Sequence, residues 1–175
     1  MKSLAVITAF ILILVGVNYS IMQKEDHLAT GEIAYLKLRP VDPRSLMQGD
    51  YMALRFELAD DIKNARSSND NSNNDVDGYV VVTLDKQNIA TFKTRYTEGM
   101  KLAENETKMQ YRIRGGRIKF ATNAFFFQEG NAKVYEKAKY GQFRINKHGE
   151  LLLAEMYDEN LMLLKAKNTE LTTEE

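Results

Sequence analysis

Residues 4–17 are apolar or small at every position except Thr8, and Tyr19, Ile21 and Met22 extend the run before Gln23-Lys24-Glu25-Asp26-His27 ends it. The whole stretch is about 19 residues, close to the ~20 that a helix needs to cross a bilayer core. No other feature limits the chain so strongly, and it predicts a single N-terminal transmembrane helix, with residues 1–23 as anchor and 24–31 as linker. A cleaved secretory signal shares the basic start and apolar middle, but Asn18-Tyr19-Ser20-Ile21-Met22 holds no small-x-small cleavage pattern, which favours a retained anchor. Lys2 precedes the run, whereas Lys24, Glu25 and Asp26 after it sum to minus one. Positive charge stays on the cytoplasmic side, so the N-terminus is expected in the cytoplasm and the rest of the chain on the periplasmic face of an inner membrane.

At 175 residues there is room for one domain after the anchor. Lys plus Arg and Asp plus Glu are both 24, and a formal charge of zero argues against nucleic acid as a partner. With no cysteine, the chain has no disulfide, thiolate nucleophile or Cys-based metal site. His27 and His148 are the only imidazoles. No cofactor and no metal site are expected.

The rest reads as an α+β, β-rich domain over 32–164, built from antiparallel hairpins with one short helix and followed by a flexible tail at 165–175. Residues 32–39 alternate Leu36 and Leu38 against Lys37 and Arg39, as a half-buried strand does. Pro40 and Pro43 then mark a rigid turn. A second strand is predicted over 50–58, with Leu54, Phe56 and Leu58 on one face. Asp, Asn and Ser dominate 60–77, which is expected as a disordered polar loop. An EF-hand frame there puts Asn73, Asp75 and Asp77 at ligand positions but Leu84 where a bidentate Glu belongs, which argues against calcium.

Val80, Val81 and Val82 announce an apolar strand over 78–84 that turns through Asp85-Lys86-Gln87-Asn88. Gly115-Gly116 is a strong two-residue hairpin signal between 110–114 and 117–121. Helical spacing predicts a helix over 129–139 that Gly141 ends, and a last hairpin joins 142–145 to 151–156 with Gly149 at the turn. Phe125, Phe126 and Phe127 are expected to feed the core, with at least one ring sent outward by alternation.

Residues 41–56 read Val-Asp-Pro-Arg-Ser-Leu-Met-Gln-Gly-Asp-Tyr-Met-Ala-Leu-Arg-Phe. This segment resembles the bacterial family named for its GDYXXLXY motif. Gly49, Asp50, Tyr51 and Leu54 match outright, and Phe56 stands at the final tyrosine. Asp42-Pro43-Arg44 before the motif and Phe126-Phe127-Gln128-Glu129-Gly130 near the C-terminus extend the likeness. The resemblance implies a membrane-associated protein, with a neighbouring multi-span membrane protein as partner, and supplies no reaction.

Two constellations could carry function. The turn with Asp42, Pro43, Arg44, Gly49, Asp50 and Tyr51, leading into Leu54 and Phe56, gathers polar groups on a rigid scaffold, although an Arg44–Asp50 bond that merely fixes the strand start is the plainer use. Across the Gly-Gly hairpin, alternation puts Arg112, Arg114, Arg117 and Lys119 on one face and Tyr111, Ile113, Ile118 and Phe120 on the other. Opposed like charges need compensation. Glu104, Glu106, Glu129 or Glu136 are the nearby candidates, and an anionic surface is the functional one. A Ser-Lys peptidase lacks its nucleophile, because Val41 stands where the serine belongs. The reading is a membrane-anchored extracytoplasmic accessory domain that binds a partner membrane protein without catalysis. The alternative is a ligand-binding or hydrolytic site around Asp42, Arg44, Asp50 and Tyr51.

Overall fold

Valine, isoleucine and tyrosine at alternate positions favour pleated strands, and the computed structural model assembles its described residues into three antiparallel sheets. It describes residues 2–39, 47–48, 51–65, 75–122 and 124–166. In chain order these are α1 (Lys2–Thr30), β1 (Glu32–Lys37), β2 (Met47–Gln48), β3 (Tyr51–Ala53), α2 (Glu57–Asn64), β4 (Val76–Leu84), β5 (Ala90–Arg95), β6 (Glu106–Arg114), β7 (Arg117–Lys119), β8 (Ala124–Phe126), α3 (Ala132–Tyr135), β9 (Tyr140–Ile145) and β10 (Leu151–Tyr157). The sheets run β5-β4-β6-β7, β1-β9-β10 and β2-β3-β8.

Alternation sets which side chains enter the core. Ala34, Leu36 and Leu38 from the first strand segment, Val80, Val82 and Leu84 from β4, and Met109, Tyr111 and Ile113 from β6 are all buried in one cluster. In β10 the register slips between Leu153 and Glu155. That bulge reverses the strand's parity, so Leu151 and Met156 both enter the core although they stand five positions apart. The Gly-Gly hairpin forms as expected, pairing Arg112 with Lys119, Ile113 with Ile118 and Arg114 with Arg117. Gly115 and Gly116 sit at φ of 55° and 71°, the left-handed region that a two-residue turn of this kind requires.

Four expectations are corrected. The strand predicted over 50–58 stops at Ala53, and α2 follows at Glu57–Asn64. Leu54, Phe56 and Leu58 are buried as read, but Leu58 also pairs with Ile62 at helical spacing, and Glu57 and Asp60 favour a helix start by their charge. The polar stretch 60–77 is therefore helical to Asn64 and strand from Val76, while 66–74 lie outside the described residues. The helix predicted over 129–139 shrinks to Ala132–Tyr135, because Gly130 adopts φ of 84° and Tyr140 already belongs to β9. Gly141 is no helix terminator: it is buried in β9, where an added Cβ would press within 3.1–3.3 Å of Leu153, Phe143 and Phe56.

The fourth correction concerns 24–31, expected as a linker. The helix continues through it to Thr30 and docks on the sheet. His27 is buried, its Nε2 lies 2.9 Å from the Arg144 carbonyl oxygen, and its own carbonyl accepts the Gly31 N–H at 2.9 Å. Arg144 Nη1 closes the clasp by donating to the Gly31 carbonyl at 3.2 Å. A Cβ on Gly31 would fall 2.6 Å from the His27 carbonyl oxygen and 2.9 Å from the Arg144 Cβ. Gly31→Ala is thus expected to loosen the helix from the sheet at a cost of about 1–3 kcal/mol. Faster hydrogen exchange at residues 27–33 and 142–145 in the purified full chain would report it; unchanged exchange would refute it.

Candidate functional site

The residues around the family motif meet the Gly-Gly hairpin in space. Leu38 bridges Phe56 in antiparallel fashion, and the Arg39 N–H donates to the Arg55 carbonyl at 2.8 Å, which sets Arg39 beside Arg55. Helix α2 then packs against β1, β5 and β7. A groove of about 420 Å³ results, floored by Leu54, Phe56 and Phe120 and lined by Arg39, Arg55, Lys63, Arg117 and Lys119. Among the described lining residues the one carboxylate is Asp60, which Arg39 Nη1 meets at 3.3 Å. Five cations against one carboxylate among the described lining residues make this a local positive field on a chain with no net charge. Such a groove suits a carboxylate-rich or other anionic surface. Because β7 is an edge strand, Arg117 and Lys119 also discourage pairing with a stray strand.

The four-cation face predicted on the hairpin divides. Arg114 Nη2 binds Asp77 Oδ1 at 2.7 Å, with Asp75 at 4.0 Å, and Asp75 Oδ1 also accepts the Gly115 N–H. Arg112 Nη2 donates to the Ala121 carbonyl at 3.0 Å. Arg117 and Lys119 alone of the four line the groove. The carboxylates that compensate Arg114 are therefore Asp77 of β4 and Asp75 just before it, not the expected Glu104, Glu106, Glu129 or Glu136. Glu106 is bonded instead to Lys93, which, with a further bond from the Ala103 N–H, holds its carboxyl below the usual range.

Of the motif residues, Leu54 and Phe56 are core. The Phe56 ring meets Phe120 at 5.9 Å and Phe143 at 5.4 Å, both edge-on, so the position where the family has tyrosine holds a buried ring. Tyr51 pairs with Phe126 across β3 and β8, their rings 5.6 Å apart, and Phe126 is the outward ring at 73% exposure. Phe125 and Phe127 instead clasp Tyr135 at 4.9 and 5.1 Å. Asp42, Pro43, Arg44, Gly49 and Asp50 lie outside the described residues. Sequence reasoning missed Arg39, Arg55 and Lys63 as site residues. The outward alternation of Arg39 and Arg55 was visible, but nothing in it places two strands and a later helix around one groove.

A second cluster lies on β1, β9 and β10. Gln142, buried between two tyrosines, donates from Nε2 to the Tyr35 hydroxyl at 2.9 Å and the Tyr157 hydroxyl at 3.2 Å. Burial, then the adjoining Tyr35 hydroxyl, pushes the Tyr157 phenol above its ordinary value, and burial does the same to Tyr135. The folded state holds these phenols neutral, so their contribution to stability is complete below about pH 10, the unfolded value, and is lost as pH rises through the higher folded value. Tyr157→Phe is expected to flatten the fall in stability above that pH. Urea titrations at stepped alkaline pH check this, and an unchanged slope would exclude Tyr157 as a source.

No curated protein and no solved structure matches the chain. The family model described as GDYXXLXY protein matches residues 13–156, a stretch that takes in the second half of the apolar run, the motif, the hairpin and the last sheet. This chain belongs to the GDYXXLXY family.

Proposed function

We propose that this chain is a single-span, membrane-anchored accessory domain of a bacterial inner membrane, facing the periplasm, that uses its cationic groove to bind an acidic segment of a neighbouring membrane protein and performs no chemistry of its own. The groove carries the proposal: Arg39, Arg55, Lys63, Arg117 and Lys119 converge, with Asp60 the one carboxylate among the described lining residues. Electrostatic complementarity of this kind fixes register and selects a partner more than it adds raw affinity. A tether in the same bilayer raises the local concentration of such a partner, so a modest site suffices.

Anchoring is supported by α1. Val6–Thr30 is long and apolar enough to cross a membrane, and its most apolar window has no residue buried against the protein. Large apolar side chains from Val6 to Met22 are exposed all round the helix, whereas a surface helix of a water-soluble domain shows one apolar stripe. The same helix runs unbroken to the His27 clasp, which favours retention over removal as a signal. Orientation rests on Lys2 before the span and the net negative charge after it.

Arg117→Glu with Lys119→Glu is expected to release a membrane protein that co-purifies with the wild-type chain in mild detergent, by about tenfold or more, since like-charge juxtaposition at an interface costs several kcal/mol. Thermal melts of both forms establish that the fold survives. A wild-type chain that emerges alone, or a companion retained equally by both forms, would overturn the groove reading. A reporter fused after Glu175 that works only in the cytosol would overturn the orientation.

A further inference from the structure

The clasp at His27 fixes more than the helix end: it fixes how far the sheets stand from the bilayer. Residues 23–30, helical beyond the apolar run, rise about 12 Å at 1.5 Å per residue. The polar headgroup layer on each side of a bilayer is about 5–7 Å thick, so whatever reaches the level of Gln23 and Lys24 is at that layer. A cleft of about 1050 Å³ runs along this stretch from Gln23 and Lys24 to Glu32, and its other lining residues include Met100, Leu102, Lys147 and His148. These last four come from the connection 97–105 between β5 and β6 and from the turn 146–150 between β9 and β10.

We propose that these two connections rest on the bilayer surface, with Met100 and Leu102 entering the boundary between headgroups and acyl chains and Lys101 and Lys147 meeting lipid phosphates. The proposal rests on the anchoring of α1 proposed above. Met100 and Leu102 are each 37% exposed and flank the exposed Lys101. An apolar pair around a cation is the composition that an interfacial segment uses, and a scattered exposed apolar residue elsewhere on a protein needs no such explanation. Because His27 and Arg144 bind the helix to β9 directly, the sheets cannot swing away on a flexible linker. The domain is seated, not merely tethered.

The chain has no cysteine, so single cysteines report cleanly. Met100→Cys, Leu102→Cys, Ile13→Cys in the span and Lys133→Cys on α3 are each labelled with an environment-sensitive fluorophore. The full chain is then reconstituted in phosphatidylethanolamine vesicles containing phosphatidylglycerol as the minor lipid, with and without nitroxide-bearing lipid. Probes at 100 and 102 are expected to emit at shorter wavelength than the probe at 133 and to be quenched about twofold more by the nitroxide. Quenching at 13 with none beyond the level of 133 at 100 and 102 would overturn the seating while leaving the span intact. Absence of quenching at 13 would overturn both.

Discussion

Three phenylalanines hold the domain together. Phe56 follows the motif strand, Phe120 follows β7 and Phe143 lies in β9, and the first ring meets the other two edge-on. Each ring comes from a segment attached to a different sheet, so the contact ties all three sheets to one core. Edge-to-face rings add specific geometry to the large apolar area that each buries. Gly141 belongs to the same constraint, since the space that a side chain would need there is taken by Phe143, Phe56 and Leu153.

The cationic groove follows from that core. Seating Phe56 inward obliges Arg55 to point out, and the Leu38 bridge to Phe56 brings Arg39 alongside it. Phe120 inward likewise leaves Lys119 toward the rim, with Arg117 two residues earlier in β7. Burial of aromatic rings and concentration of positive charge are thus two faces of one alternation. Asp75 and Asp77 neutralise Arg114 at the far side of the hairpin, so Arg114 adds nothing to the charge of the groove.

Hairpins were the most legible part of the sequence, because their signals are local: Gly115-Gly116 fixes a turn by backbone sterics, and the register of Arg112 with Lys119 follows by counting. Short-range ambiguity defeated the reading at 57–64, where Leu54, Phe56, Leu58 and Ile62 satisfy a period of two at one end and of four at the other. At 129–139 helical spacing was present, but the packing of Tyr135 between Phe125 and Phe127 and the recruitment of Tyr140 into β9 decided the outcome. The compensation of Arg114 is not legible locally, because Asp75 and Asp77 lie nearly forty residues away in a stretch whose composition reads as a polar loop.

What the sequence determined by itself was the apolar helix, the antiparallel hairpins and the inward face of β1 and of the Gly-Gly hairpin, all of which depend on spacing between near neighbours. Tertiary structure alone decided that the helix runs past its apolar run into a clasp on β9, and that Arg39, Arg55, Lys63, Arg117 and Lys119 share a groove. The reason is physical: alternation tells a side chain in from out, but which outward side chains become neighbours depends on how separate sheets pack across a common core.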